Sequence, residues 1–134
     1  MYKPKQITTA YILAGNTNVS PSLLDVLARS HDSTIRARVA ENIATPLHTL
    51  FRLLQDHDSE VRSSLAQNPA APKSILDVLS SDESADVRLS LAENHNLPDV
   101  FLQFLSTDEN PYVSHRASLT LSRLATEPQR TVAA

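Results

Sequence analysis

The chain has 134 residues, a net charge of −3 and no cysteine. That length suits one domain, and the missing thiols exclude disulfides, thiolate metal sites and cysteine nucleophiles. Apolar residues make up 41% but aromatics only 4%, with no Trp, so a core must be built from Leu, Val, Ile and Ala. A single Gly argues against a chain rich in tight hairpins and against a glycine-rich phosphate loop. Residues 56–110 hold 11 acids and three bases, a net of −8, while the rest of the chain nets +5. An acidic middle between basic ends does not suit a continuous nucleic-acid track. No stretch approaches the roughly 18 apolar residues of a membrane span, and "MYKPKQITTAYILAG" lacks a signal-peptide pattern. A cytoplasmic chain with no membrane contact is expected.

Shifted against itself, the sequence matches at a period of 26. Asn16, Asn42, Asn68 and Asn94 share a column, as do Ala14, Ala40, Ala66 and Ala92. Arg36, Arg62 and Arg88 share another, and so do Pro46, Pro72 and Pro98, with Pro21 off by one. Leucines recur at 24, 50, 76 and 102 and at 27, 53, 79 and 105, and aspartates at 56, 82 and 108.

Taken in chain order, residues 9–34 are a degraded first unit. Residues 35–60, 61–86 and 87–112 are three full units. Each full unit reads as two short helices. The first starts behind an N-cap, as at Asp58-Ser59, with apolar residues on one face, as at Val61, Leu65 and Ala66. The asparagine ends it, tolerating a left-handed backbone and bonding loop groups. The second helix opens at the proline, with Ser20-Pro21 and Thr45-Pro46 as N-cap and first helical residue. Its stripe is Ile75, Leu76 and Leu79 in the third unit. Residues 113–126 form one longer capping helix and 127–134 a flexible tail. Helices this short are marginal alone and need a neighbour on their apolar face. Stacked repeats provide one, and such a stack sums nearest-neighbour interfaces. The expected architecture is all-α without β-sheet: one α-solenoid of 26-residue two-helix repeats over residues 1–134.

The pattern V-R-x-x-L-A-x-N-x-x-x-P-x-x-x-L-x-x-L-x-x-D, spread over about residues 9–116, resembles the leucine-rich repeat variant family. These are bacterial helical repeats akin to HEAT and armadillo repeats. The resemblance implies a right-handed superhelix, in which the second helix of a pair is sometimes 3₁₀. One member is associated with an iron–sulfur cluster on a separate cysteine-rich segment, which has no counterpart in a chain without cysteine. Beyond architecture the resemblance implies little about function.

Repetition sorts the polar residues. Asn16, Asn42, Asn68 and Asn94 read as structural joints, and Arg36, Arg62 and Arg88 as a ladder paired with loop acids (Asp32, Asp56, Asp58, Asp82 and Asp86). His31 and His57 share a column in adjacent loops, but the five histidines lack HxxH or HExxH spacing. No catalytic, metal or cofactor residue is assigned, and no enzymatic activity is expected. The side chains that differ between units are the candidates for a partner-binding face: Arg38, Glu41, Ser64, Gln67, Leu89, Glu93 and Arg116, with Ser63 beside them. Phe101 and Phe104 are expected to pack on the closing helix, with an exposed apolar patch as the other outcome. The function expected is a protein-binding or scaffold module, monomeric or a weak homodimer, with a protein partner. The alternative is a regulatory subunit that binds an anionic ligand or nucleic acid through Arg36, Arg38, Arg62, Arg88 and Arg116.

Overall fold

The computed structural model describes residues 6–127. Among them are nine helices and no strand: α1 Thr9–Ala14, α2 Pro21–Leu27, α3 Ser33–Ala40, α4 Leu47–Leu54, α5 Ser59–Ala66, α6 Lys73–Ser80, α7 Ala85–Ala92, α8 Asp99–Leu105 and α9 Pro111–Ala125. The closing helix thus begins two residues before the expected boundary, and the tail beyond Glu127 lies outside the described residues.

Helix starts follow local chemistry. Asp32 caps α3 and Asp58 caps α5, each accepting at 2.9 Å from the N–H two residues on. Asn110 caps α9 through the N–H groups of Tyr112 and Val113. Ser20 caps α2, with Pro21 in the first turn as expected. The other prolines depart from that expectation. Pro46, Pro72 and Pro98 stand at the N-cap itself with extended ψ, one residue before the helix. Thr45 is not a cap, because its hydroxyl donates back to the Val39 carbonyl at 2.7 Å. The Pro46 and Pro72 carbonyls accept the first helical bonds, and a residue without an N–H loses nothing at that position. The second helices α2, α4, α6 and α8 are α-helices, not 3₁₀.

The helices form two layers. α1, α3, α5, α7 and α9 pack side by side in one, and α2, α4, α6 and α8 form the other. Each second-layer helix leans on the two first-layer helices that flank it in sequence. Packing of this kind, between neighbours only, is consistent with a helical repeat. The alanine column explains why the first layer is the tighter one: Ala14, Ala40, Ala66 and Ala92 are all 0% exposed, and a methyl group lets backbones approach. Leucines at 24, 50, 53, 65, 79, 91, 102 and 105 fill the space between layers. Each such side chain stabilises by about 2 kcal/mol relative to an exposed one. Phe101 is half-buried against this core, but Phe104 is 55% exposed. Phe104 shares the outward register of Val26 and Val78, so of the two expected outcomes it follows the exposed one.

The units are joined by side-chain amides. Asn42 Nδ2 donates to Ala14 O at 2.9 Å and Asn16 O at 3.1 Å. Asn68 does the same to Ala40 and Asn42, and Asn94 to Ala66. Each Oδ1 accepts the N–H two residues ahead, of Ala44, Ala70 or Asn96. The first helices close on right-handed residues, Gly15, Glu41, Gln67 and Glu93. The asparagine that follows works through its side chain, reaching the preceding unit.

Asn68 is 2% exposed, so Asn68→Ala takes the amide donor from the buried Ala40 carbonyl, removes the second donor of Asn42 O and frees the Ala70 N–H. The expected loss is about 2–3 kcal/mol by urea denaturation. Asn16→Ala, at an exposed position, should stay within about 0.5 kcal/mol of the parent.

Candidate functional site

The arginine column is consumed by the scaffold. Arg36 grips Asp56 in a bidentate pair, Nε to Oδ2 at 2.8 Å and Nη2 to Oδ1 at 3.2 Å, and its Nη1 reaches Ser30 O in the preceding loop. Arg62 repeats this with Asp82 and Asp56 O, and Arg88 with Asp108 and Asp82 O. The arginine side chains are only 10–12% exposed. Each guanidinium therefore ties two successive inter-unit loops together. Of the loop acids expected as partners, Asp56 and Asp82 take this role and Asp108 joins them. Asp32 and Asp58 serve as helix caps.

A second knot links α2 to α4. Asp25 accepts from the Thr49 hydroxyl at 2.6 Å and from Arg52 at 2.9 Å, with Arg29 and His48 each 3.4 Å away. The Thr49 bond, opposed by desolvation and helped by Arg52 and Arg29, pulls the Asp25 carboxyl down to about 2. Burial pushes Asp56 and Asp108 up, but the bonds from Arg36 and Arg88 and from the N–H groups of Asp58 and Asn110 outweigh it, and both lie below the ordinary carboxylate value.

The varying candidates belong to the first-layer helices and the residues that close them. Arg38, half-buried, lies 4.8 Å above the Tyr11 ring and pairs with Glu41 at 3.2 Å. Beneath it is Gly15, the only glycine of the chain. Gly15 has right-handed φ, so no turn requires it. A Cβ there would come within 2.4 Å of Arg38 Nε. The glycine makes room for the guanidinium. The Gln67 amide donates to the Ser90 carbonyl of the next unit. Arg38, Glu41 and Gln67 border one open hollow of about 340 Å³, with Gly15, Thr17 and Ile43.

The other four candidates stand apart from that hollow. Ser64 and Arg116 are half-buried, Glu93 is exposed, and Leu89 is packed against the core. They share registers with Arg38 and Glu41 along the face, or lie beside them. Ser63 is half-buried, like Leu89 one unit on. Tyr11 and Gly15 were not among the expected residues. Tyr11 stands in the register of Ala37, Ser63, Leu89 and His115, a column that changes in every unit. That variability was the available signal for it.

No family model, curated protein or solved structure matches this chain. Its chemistry is read from the molecule alone. His31 and His57 border one shallow cavity with Arg36 and Asp58. Among the described residues no group of three or more His, Cys, Asp or Glu side chains is placed to hold a metal ion. Nor is any helix there long and apolar enough to cross a membrane.

Gly15→Ala should displace Arg38 from Tyr11, because the obstructing atoms are the end of a flexible side chain. The Tyr11 ring resonances should shift while the melting temperature changes by no more than about 2 °C. Depressed carboxylates stabilise the fold fully above their unfolded value, about 3.9, and lose that contribution as pH falls toward their folded values. Melting temperature should therefore drop steeply below about pH 4. Asp56→Asn with Asp108→Asn should lower it at neutral pH and flatten the acid limb.

Proposed function

We propose that this chain is a non-enzymatic protein-binding or scaffold module. In this reading it is a right-handed α-solenoid of 26-residue two-helix repeats of the leucine-rich repeat variant kind, related in style to HEAT repeats, and its partner is a protein. The handedness rests on the resemblance of the repeat motif. The functional reading rests on one observation: the polar residues that repeat are spent on internal bonds, and three of those that vary, Arg38, Glu41 and Gln67, border an open hollow on the first layer. A stack of repeats displays such side chains as an extended surface, which is how repeat proteins engage partners.

The alternative, an anionic ligand or nucleic acid on an arginine stripe, is less well supported. Arg36, Arg62 and Arg88 each already hold two carboxylate oxygens, which leaves Arg38 and Arg116. Two separated cations provide little counterion release.

The test is a pull-down from the native cell with the parent and with E41K/Q67K/E93K, both checked for unchanged helical circular dichroism. Partners held by the parent and lost by the variant fit the proposal. Retention of every partner by the variant rules out this face. Tight, steeply salt-dependent binding of duplex DNA or RNA would favour the arginine reading instead.

A further inference from the structure

The outward side of the second layer varies freely from unit to unit. Two registers are exposed in all four of its helices: 26, 52, 78 and 104, and 22, 48, 74 and 100. In the third and fourth units they carry large apolar side chains. Val78 is 54% exposed, Val100 64% and Phe104 55%. Val78 and Phe104 occupy one register on the neighbouring helices α6 and α8, and Val100 lies one turn before Phe104. In the second unit the same registers hold Arg52 and His48, both beside Asp25. The fold accepts polar side chains at these places, so packing does not explain the apolar ones.

Phe104 also walls an open hollow of about 470 Å³ between the loops that follow α6 and α8. Ser81, Glu83, Thr107 and Glu109 border it too. Its charges do not cancel. Asp82 and Asp108 are each gripped by an arginine, Arg62 and Arg88, and these two pairs are neutral together. Glu83 and Glu109 are exposed, and neither makes an ion pair among the described residues. Each acts on the nearby arginine, Arg62 or Arg88, whose carboxylate partner is already in place. The column of these glutamates holds His31 and His57 in the earlier units. The equivalent hollow there is bordered by both histidines and by no aromatic ring. An aromatic wall beside two uncompensated carboxylates thus belongs to the third and fourth units alone.

We infer that the outward face of α6 and α8 is a docking surface for a basic segment of another protein, in which an arginine stands among apolar residues. Charge selects the partner. Two exposed carboxylates repel phosphates, anionic membranes and nucleic acid, and their complement is a cation. The ring selects the kind of cation. A guanidinium is planar, stacks on aromatic faces and forks onto carboxylates. The hollow brings the Phe104 ring and both glutamates to one place, and apolar neighbours of the arginine cover Val78 and Val100. A second copy of this chain offers no free arginine from the same layer, because Arg29 and Arg52 both lie on Asp25. The surface is on the layer opposite the hollow around Arg38, so it is a second contact and not the face proposed above.

The probe is the blocked peptide Ala-Leu-Arg-Leu-Ala-Leu-Arg-Leu-Ala, titrated into the isotope-labelled full-length protein at low and at physiological salt. Its control carries citrulline for arginine, which keeps the shape and loses the charge. The arginine peptide should shift the Phe104 ring, the methyl groups of Val78 and Val100 and the backbone of Glu83 and Glu109 together, and bind more weakly at the higher salt. E83Q/E109Q should weaken it about fivefold, the size of two surface ion pairs. Phe104→Ala should weaken it about fivefold as well, the size of one cation–π contact. Both are surface changes, and the melting temperature should stay within about 2 °C of the parent. At physiological salt E41K/Q67K/E93K should bind the peptide as the parent does, which separates this surface from the first-layer face. No shift at millimolar peptide, equal shifts with the citrulline control, or shifts confined to Arg38, Glu41 and Gln67 overturn the inference. So does a dimer in sedimentation that E83Q/E109Q dissolves, since a second copy would then be the occupant. Tighter binding by K3Q/K5Q/R130Q overturns it too, since the chain's own cations would then hold the place.

Discussion

The buried asparagine amide between units is the interaction on which the rest depends. Helices of six to eight residues do not hold together on their own backbone bonds. They also leave carbonyls open at their C-terminal ends, and those ends lie in the interior. The amide answers both problems with one side chain. Nδ2 satisfies the carbonyls of the preceding helix, and Oδ1 fixes the turn that follows. Neither aspartate nor leucine of the same size could do this, because one lacks the donor and the other lacks both functions. The alanine two residues before each asparagine is small for the same reason: the amide of the next unit reaches its carbonyl only if the helices are close.

The Arg–Asp clasps act one level out, on loops. A buried ion pair alone is weak evidence for stability, since desolvation offsets much of the attraction. Here the guanidinium also bonds a loop carbonyl, so its fork geometry sets where each loop begins relative to the last. Ala10 and Ser30 stand where a fourth pair would be, so the first unit lacks both members together and strands neither charge. Scaffold chemistry thus absorbs the arginine, aspartate and asparagine columns that recur from unit to unit. Around Gly15 the groups left over are a cation held on an aromatic ring, an adjacent carboxylate and a glutamine.

Much of this was legible in the sequence because it repeats. Column identity located the helices, the core leucines, the close-approach alanines and the joints. What it could not give was direction. Asn68 read as a local stop signal, yet its donor reaches a carbonyl 28 residues back. The arginine column read as a ladder with five loop acids, Asp82 among them. Spacing did not say that Arg62 takes Asp82, 20 residues ahead, rather than Asp56 or Asp58 beside it. Spacing along the chain says nothing of which neighbour a long side chain meets. The prolines went one residue astray because Ser20-Pro21 is the exception, and the exception looked like the rule. Tyr11, Gly15 and Asp25 escaped notice because the contacts of each are made in one unit only, and a contact made once leaves no periodic trace. Thr120 is instructive in the opposite sense: the asparagine column seemed to end, while its function passed to a hydroxyl that donates to Ala92 O.

The offsets of these bonds have a consequence for how such a gene can change. The asparagine bonds join residues 26 or 28 apart, and the arginine pairs join residues 20 apart. Excise residues 61–86 and Asn94 comes into the place of Asn68, while Arg88 keeps its own Asp108. Duplicate the same stretch and every new donor arrives with an acceptor. Slippage by one unit during replication therefore yields a chain of different length whose internal bonds are all still made. Length becomes a trait that selection can tune in steps, independently of the side chains displayed on each step.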